Sequence, residues 1–265
     1  MHDLVRLHAR QQSDQHAGGD GRDQAITRLL DWYLDMTGAA DAHLRALPGT
    51  PVPAQFAGRD DALAWLDAER PALTAAVTLA ASAGRDQAAM RLPIRLAEYL
   101  SWRRRFDDWI TATTASLAAA RRLGDRANEA AALTILGSAL GEVRRFDEAI
   151  TAHQDAAAIF RRTGDRHREG TALNNLGLAL REVLRFDEAI TAFQADIAIC
   201  QETGDRHGEG ITLNNLGGVL RDAGRGQEAV TALRDAAAAF RETGDPDREH
   251  RALQGLEETQ RGQPG

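Results

Sequence analysis

The phrase LNNLG stands twice in the chain, at Leu173–Gly177 and Leu213–Gly217, and both it and the Gly-Asp-Arg that precedes it return after 40 residues. A fixed period of this length marks a solenoid, in which each supersecondary unit buries its apolar face against its neighbours rather than within itself. Full copies start at Gly124, Gly164 and Gly204, and the second and third of these are identical at 21 of 40 positions. Residues 84–123 keep the same skeleton in degenerate form, with Arg105-Phe106-Asp107-Asp108 where Arg145-Phe146-Asp147-Glu148 stands one period later. Residues 244–265 open on Gly-Asp and hold one helix length before Gly262 and Pro264, which predicts a C-terminal capping helix and tail. A chain built this way is expected to bind rather than to catalyse.

Within each copy, apolar residues recur at three- and four-residue steps, as in Leu173, Leu176, Leu180 and Val183, then Ile190, Phe193 and Ile197. Two amphipathic helices per copy follow. The Gly-Asp pairs at 124, 164, 204 and 244 separate the copies. Glycine accepts the left-handed position that ends one helix, and aspartate accepts the orphan N–H groups that open the next. The inner Arg-Phe-Asp-Glu turn puts acids in the first turn of the second helix, where the helix dipole favours them. Each unit therefore reads as a helical hairpin.

The hairpin resembles the tetratricopeptide repeat, which carries Leu-Gly midway along its first helix and a small Ala early in its second. Here those residues are Leu136-Gly137 with Ala149, Leu176-Gly177 with Ala189, and Leu216-Gly217 with Ala229. Small residues let helices approach closely. The 40-residue period, in place of 34, is similar to the long-helix repeats of kinesin light chains. The resemblance implies an all-α, right-handed α-α superhelix of antiparallel hairpins. Before the repeats, His2–Arg10, Arg28–Leu34 and Ala62–Arg70 resemble the region that joins ATPase and repeats in actinobacterial NB-ARC (STAND) regulators, where the HDLVR-like helix ends a winged-helix subdomain. No GxxxxGK[ST] phosphate loop is present, so ATP hydrolysis does not carry over. The resemblance implies the sensor half of such a regulator, starting inside that helix, or a relic of one.

Residues 1–83 are expected to form an N-terminal helical cap and linker region. Residues 47–58 hold three of the seven prolines and read as a loop between helices at about 22–46 and 59–83. Trp32, Trp65, Trp102 and Trp109 are expected to fill the core between cap and first repeat.

The net charge is -7 and all 32 basic residues are arginine. Lysine chemistry, Schiff bases included, is excluded. The acidic balance speaks against direct nucleic-acid binding. The N-terminus has no apolar run of signal-peptide length and the longest uncharged stretch, Pro71–Gly84, is too short to span a bilayer, so no membrane role and a cytoplasmic address are expected. Lone Cys200 falls on an apolar helix face and reads as a small core residue.

Four of the five asparagines form the pairs Asn174-Asn175 and Asn214-Asn215. Asparagine is a mediocre helix former, so pairs in mid-helix need a cause. One is structural: an amide ladder locking neighbouring repeats. The other follows from the resemblance: the matching first-helix positions of tetratricopeptide domains face a concave groove and bond the main chain of an extended peptide, with Asn175 and Asn215 the best matches. Arg95 and Glu98, Ser138 and Glu142, Leu178, Arg181 and Glu182, and Arg221 with Asp222 project to the same face, giving a groove of mixed charge. Arg95, Arg181 and Arg221 can hold a carboxylate by forked contacts, or be neutralised by neighbouring acids. His167 and His207 recur in the inter-repeat phrase, are placed in the joining loops, and have no spaced partners for a metal or a nucleophile. No catalytic residue, metal ligand set or cofactor is assigned. The expected partner is a protein or extended peptide, with attachment to an NB-ARC ATPase module or homo-oligomerisation, a purely structural self-association module being the alternative.

Overall fold

The computed structural model describes residues 21–46 and 49–261. The HDLVR-like segment and the closing Gly262 and Pro264 lie outside the described residues. Among the described residues the chain is all-helical, with eleven helices and no strand. The cap is α1 (Arg22–Arg45) and α2 (Arg59–Ser82). Four hairpins follow, α3 (Asp86–Trp102) with α4 (Phe106–Leu123), α5 (Arg126–Glu142) with α6 (Phe146–Thr163), α7 (Arg166–Glu182) with α8 (Phe186–Thr203), and α9 (Arg206–Asp222) with α10 (Gly226–Thr243). Helix α11 (Pro246–Arg261) closes the stack.

The punctuation works as the residue types require. Gly124, Gly164, Gly204 and Gly244 end α4, α6, α8 and α10 with φ of 66°, 76°, 73° and 73°, a conformation that costs glycine nothing. Asp125, Asp165, Asp205 and Asp245 then accept the backbone N–H three residues on, at 3.0, 3.1, 2.8 and 3.0 Å. The tips inside the hairpins are also left-handed, at Arg104, Arg144, Leu184 and Gly224, and only the last is a glycine.

At the crossing inside each hairpin, a methyl placed on Gly137, Gly177 or Gly217 would lie 2.6 Å from His153, 2.6 Å from Phe193 or 2.5 Å from Leu233. The absent side chain is what lets the paired helices touch. First helices also contact the first helix of the next hairpin, as α3 with α5, α5 with α7 and α7 with α9, whereas successive second helices make no such contact. The stack therefore bends with its first helices on the inside, and they form the concave face.

A carboxylate seals the joint at the start of each full repeat. Glu129 takes Arg121 and Arg126 at 3.0 and 2.7 Å, Glu169 takes Arg161 at 2.7 Å together with Arg166, and Glu209 takes Gln201 and Arg206, at 2.7 and 2.6 Å. All three are buried. Burial works to raise the Glu129 carboxyl, but its two guanidinium partners outweigh this and hold it below its ordinary value.

Two tryptophan expectations need correction. Trp109 is buried and Trp65 half-buried, but Trp32 and Trp102 remain 46% and 45% exposed. Trp32 rests its edge on Trp65, 6.0 Å between centroids. Trp102, the last residue of α3, donates its indole N–H to Glu98 at 2.8 Å beneath the Arg59 guanidinium. No helix among the described residues is long and apolar enough to cross a membrane.

Candidate functional site

The first helices of adjacent hairpins diverge enough to open the concave face. Between α5 and α7 lies a groove of about 550 Å³ bounded by Ser138, Glu142, Asn175, Leu178, Arg181 and Glu182, with Arg144 and Phe146 at the hairpin tip. His153 of α6 forms its floor. That imidazole is 2% exposed, its Nδ1 has no hydrogen-bond partner, and burial pushes its pKa down to about 4, so it is neutral.

The two asparagine pairs divide. Asn215 donates its amide to Asn174 Oδ1 across the α7–α9 joint at 2.9 Å, an inter-repeat lock. Asn175 makes no side-chain hydrogen bond to another described residue and lines the groove. Asn214 is half-buried one repeat further on. Of the arginines, Arg95 donates to the Leu34 carbonyl of the cap and lies beside Gly38, away from the groove. Glu98 faces Arg45 at 3.3 Å and Trp102. Arg181 pairs with Asp222 at 2.6 Å and Arg221 with Glu258 at 3.1 Å. Neighbouring acids thus engage both, so neither stands free to fork a carboxylate. Ser138 returns its hydroxyl to the Thr134 carbonyl at 3.1 Å. The structure brings together Ser138, Glu142, Asn175 and Arg181; it separates them from Arg95, Glu98, Asn214, Asn215 and Arg221.

His167 and His207 are not in loops, as expected from their phrase, but are the second residues of α7 and α9, because the capping aspartates start those helices two residues earlier in the phrase than the histidines. His167 Nδ1 is 3.7 Å from Asp205 and His207 Nδ1 is 3.5 Å from Thr243 Oγ1. Among the described residues no group of three or more His, Cys, Asp or Glu side chains is disposed to hold a metal ion.

Two sets of residues went unrecognised in the sequence. His153 was one, although its position is Thr113, Phe193 and Leu233 in the other hairpins. The other lines a second concavity, between α7 and α9 and floored by α8, where Asp196, Cys200 and Thr212 meet. A repeat-by-repeat register comparison was the available signal for both.

A curved stack of helical hairpins with an open inner face defines a repeat scaffold that binds other proteins. Residues 130–202 and 168–242 match the tetratricopeptide repeat model, and these hairpins are tetratricopeptide repeats. No curated protein sequence matches the chain significantly. Among solved structures, it is similar to a kinesin light chain from Podosopora anserina with nearly identical TPR-like repeats, at 17% identity over 65% of this chain and 90% of that one, TM-score 0.55. It is also similar to the STAND protein with a tetratricopeptide repeat sensor from Pyrococcus horikoshii, at 14% identity over 74% of this chain but only 33% of that one, TM-score 0.57. A third is a Rap protein complexed with competence and sporulation factor, at 15% identity over 88% of this chain and 64% of that one, TM-score 0.54.

Proposed function

We propose that this scaffold is a non-enzymatic sensor module that takes an extended peptide segment of its partner into the concave groove over His153. The observation that carries the reading is the unpaired amide of Asn175: it faces the groove while its neighbour Asn174 is consumed by the lock to Asn215. An amide offers a donor and an acceptor together, which is what one peptide unit of an extended chain requires. Ser138, Glu142 and Arg181 supply polar flanks and Leu178 an apolar one. One such hydrogen bond contributes about 0.5–1.5 kcal/mol, so side-chain pockets must supply the remaining affinity. Likeness to a STAND protein with a repeat sensor supports attachment to a STAND ATPase module. By the resemblance of the segments before the repeats, that module is of the NB-ARC type and the whole is a transcriptional regulator of the cytoplasm.

The test is a peptide-display selection on the whole chain, with the recovered peptides measured by fluorescence anisotropy on the wild type and on Asn175→Ala. Loss of the amide should weaken them by about 2- to 12-fold with unchanged circular dichroism. Equal affinity for both proteins, or no peptide recovered, overturns the groove. The Asn174–Asn215 lock favours a second reading, a structural module that self-associates through its outer helices. Concentration-dependent sedimentation with no peptide selected would be its signature.

A further inference from the structure

Four equivalent joints can be compared position by position, and where α4 meets α5 the buried residues are Ser116, Ala120 and Ala132. Where α6 meets α7 the buried contacts are Ala156, Phe160 and Ala172, and where α10 meets α11 they are Ala236, Phe240 and Ala252. Where α8 meets α9 the same three positions are Asp196, Cys200 and Thr212, all buried. The fold does not ask for this exchange, because both neighbouring joints close with alanine and phenylalanine. It is unfavourable in isolation, since a carboxylate removed from water costs several kcal/mol unless paired, by about the usual order.

The exchange has two consequences. A cavity of about 340 Å³ opens between α7 and α9 at this joint, with the small Cys200 in its wall where two other joints carry phenylalanine. Asp196, 4% exposed, stands in its wall, with Thr212 Oγ1 donating to Oδ2 at 2.6 Å and the Cys200 thiol 3.7 Å from Oδ1. No arginine lines the cavity, and among the described residues no ion pair to Asp196 is made. Gly170 completes the arrangement: a methyl there would fall 2.3 Å from Asp196 Oδ1, so the glycine makes room for the carboxylate. Burial pushes the Asp196 pKa up to about 6, against the lowering effect of the Thr212 and Cys200 bonds, as befits a carboxylate without its counter-charge.

We infer that this cavity is a subsite for a primary ammonium group, with Asp196 as the counter-ion, Thr212 holding that carboxylate in place, and Cys200 providing the space. A second carboxylate, Asp205, lines the cavity but is engaged as the N-cap of α9 by the Gly208 N–H at 2.8 Å, and among the described residues no group of three or more His, Cys, Asp or Glu side chains is disposed to hold a metal ion. The cavity and the groove over His153 are lined by successive residues of α7, Asn174 and Asn175. The inference therefore deepens the peptide reading, the ammonium being a lysine side chain or a peptide N-terminus, but its test does not depend on that reading.

The test is an isotope-edited NMR titration of the whole chain with n-butylammonium, with n-butanol as the neutral isostere. Saturable shifts at Gly170, Cys200 and Thr212 with the cation alone are expected. Asp196→Asn, which preserves shape, should weaken binding by about ten-fold or more, and so should Cys200→Phe, which restores the residue of the two neighbouring joints. An N-acetylated lysine amide and a norleucine amide with a free N-terminus then distinguish the two ammonium sources. Equal response to butanol, retained affinity in Asp196→Asn, or no saturable shift at millimolar cation overturns the subsite. If peptides are selected and depend on Asn175 while the cation fails, only the subsite falls; the reverse result removes the groove and keeps the subsite.

Discussion

Gly137 and Gly141 lie one turn apart on α5, yet alanine should act on them with opposite sign. Glycine in a helix interior costs about 1 kcal/mol relative to alanine, so each substitution starts with roughly that gain. At Gly141 a new methyl meets nothing within 4 Å, and the gain stands. At Gly137 the methyl would lie 2.6, 2.7 and 2.9 Å from Cε1, Nε2 and Nδ1 of one imidazole, that of His153. The ring is rigid and only 2% exposed, so it must move by most of an ångström against α6 and its neighbours. Overpacking of this kind costs about 1–3 kcal/mol, and three close atoms on one rigid ring place it at the upper end. The net effect is a loss of about 1–2 kcal/mol for Gly137→Ala and a gain of about 1 kcal/mol for Gly141→Ala. For a domain of this size, the thermal midpoint followed by far-UV circular dichroism should fall by about 3–6 °C in the first and rise by about 2–3 °C in the second. Shifts of the same sign in both variants would refute the claim that the Leu-Gly glycine is a packing requirement.

Two buried groups should give opposite pH dependences between about pH 4 and pH 6.5. His153 has its pKa pushed down to about 4, so the unfolded chain binds its proton more readily and stability is lost as pH falls below 6.5, by about 3 kcal/mol at most. Asp196 has its pKa pushed up to about 6, so stability is lost as pH rises from about 4 through 6. Urea midpoints against pH should therefore lose the acid-side fall in His153→Phe and the opposite slope in Asp196→Asn; unchanged profiles would show that these groups are not buried in solution. Asn215→Ala should cost about 1 kcal/mol through the lost lock, whereas Asn175→Ala should leave the urea midpoint within error, and equal effects would contradict the division between them. Glu169→Gln should cost about 1–3 kcal/mol because Arg161 and Arg166 lose a shared charged acceptor, and chemical denaturation showing no change would remove the joint carboxylates from the account of stacking.

Most of the architecture was legible because it is local. Helical periodicity, the Gly-Asp joints and the Leu-Gly crossing are all encoded within a few residues of where they act. A 40-residue recurrence then fixes which units stack. What local reasoning misjudged were contacts whose partners lie on other helices. Trp102 looked like core, but the end of α3 leaves it on the surface. Asn174 and Asn175 are adjacent and chemically identical, yet a helix turns them about 100° apart, so one meets Asn215 across the joint and the other faces the groove. Nothing along the chain marks Glu169 as the acid that joins two hairpins. Asp196, Cys200 and Thr212 could be picked out as departures from register, but nothing along the chain places them in one cavity. The sequence by itself determined the hairpins, their order and their joints, since these depend on backbone propensity and side-chain period. Tertiary structure decided which polar groups are spent on stacking and which remain open, because that depends on how far apart packed helices stand.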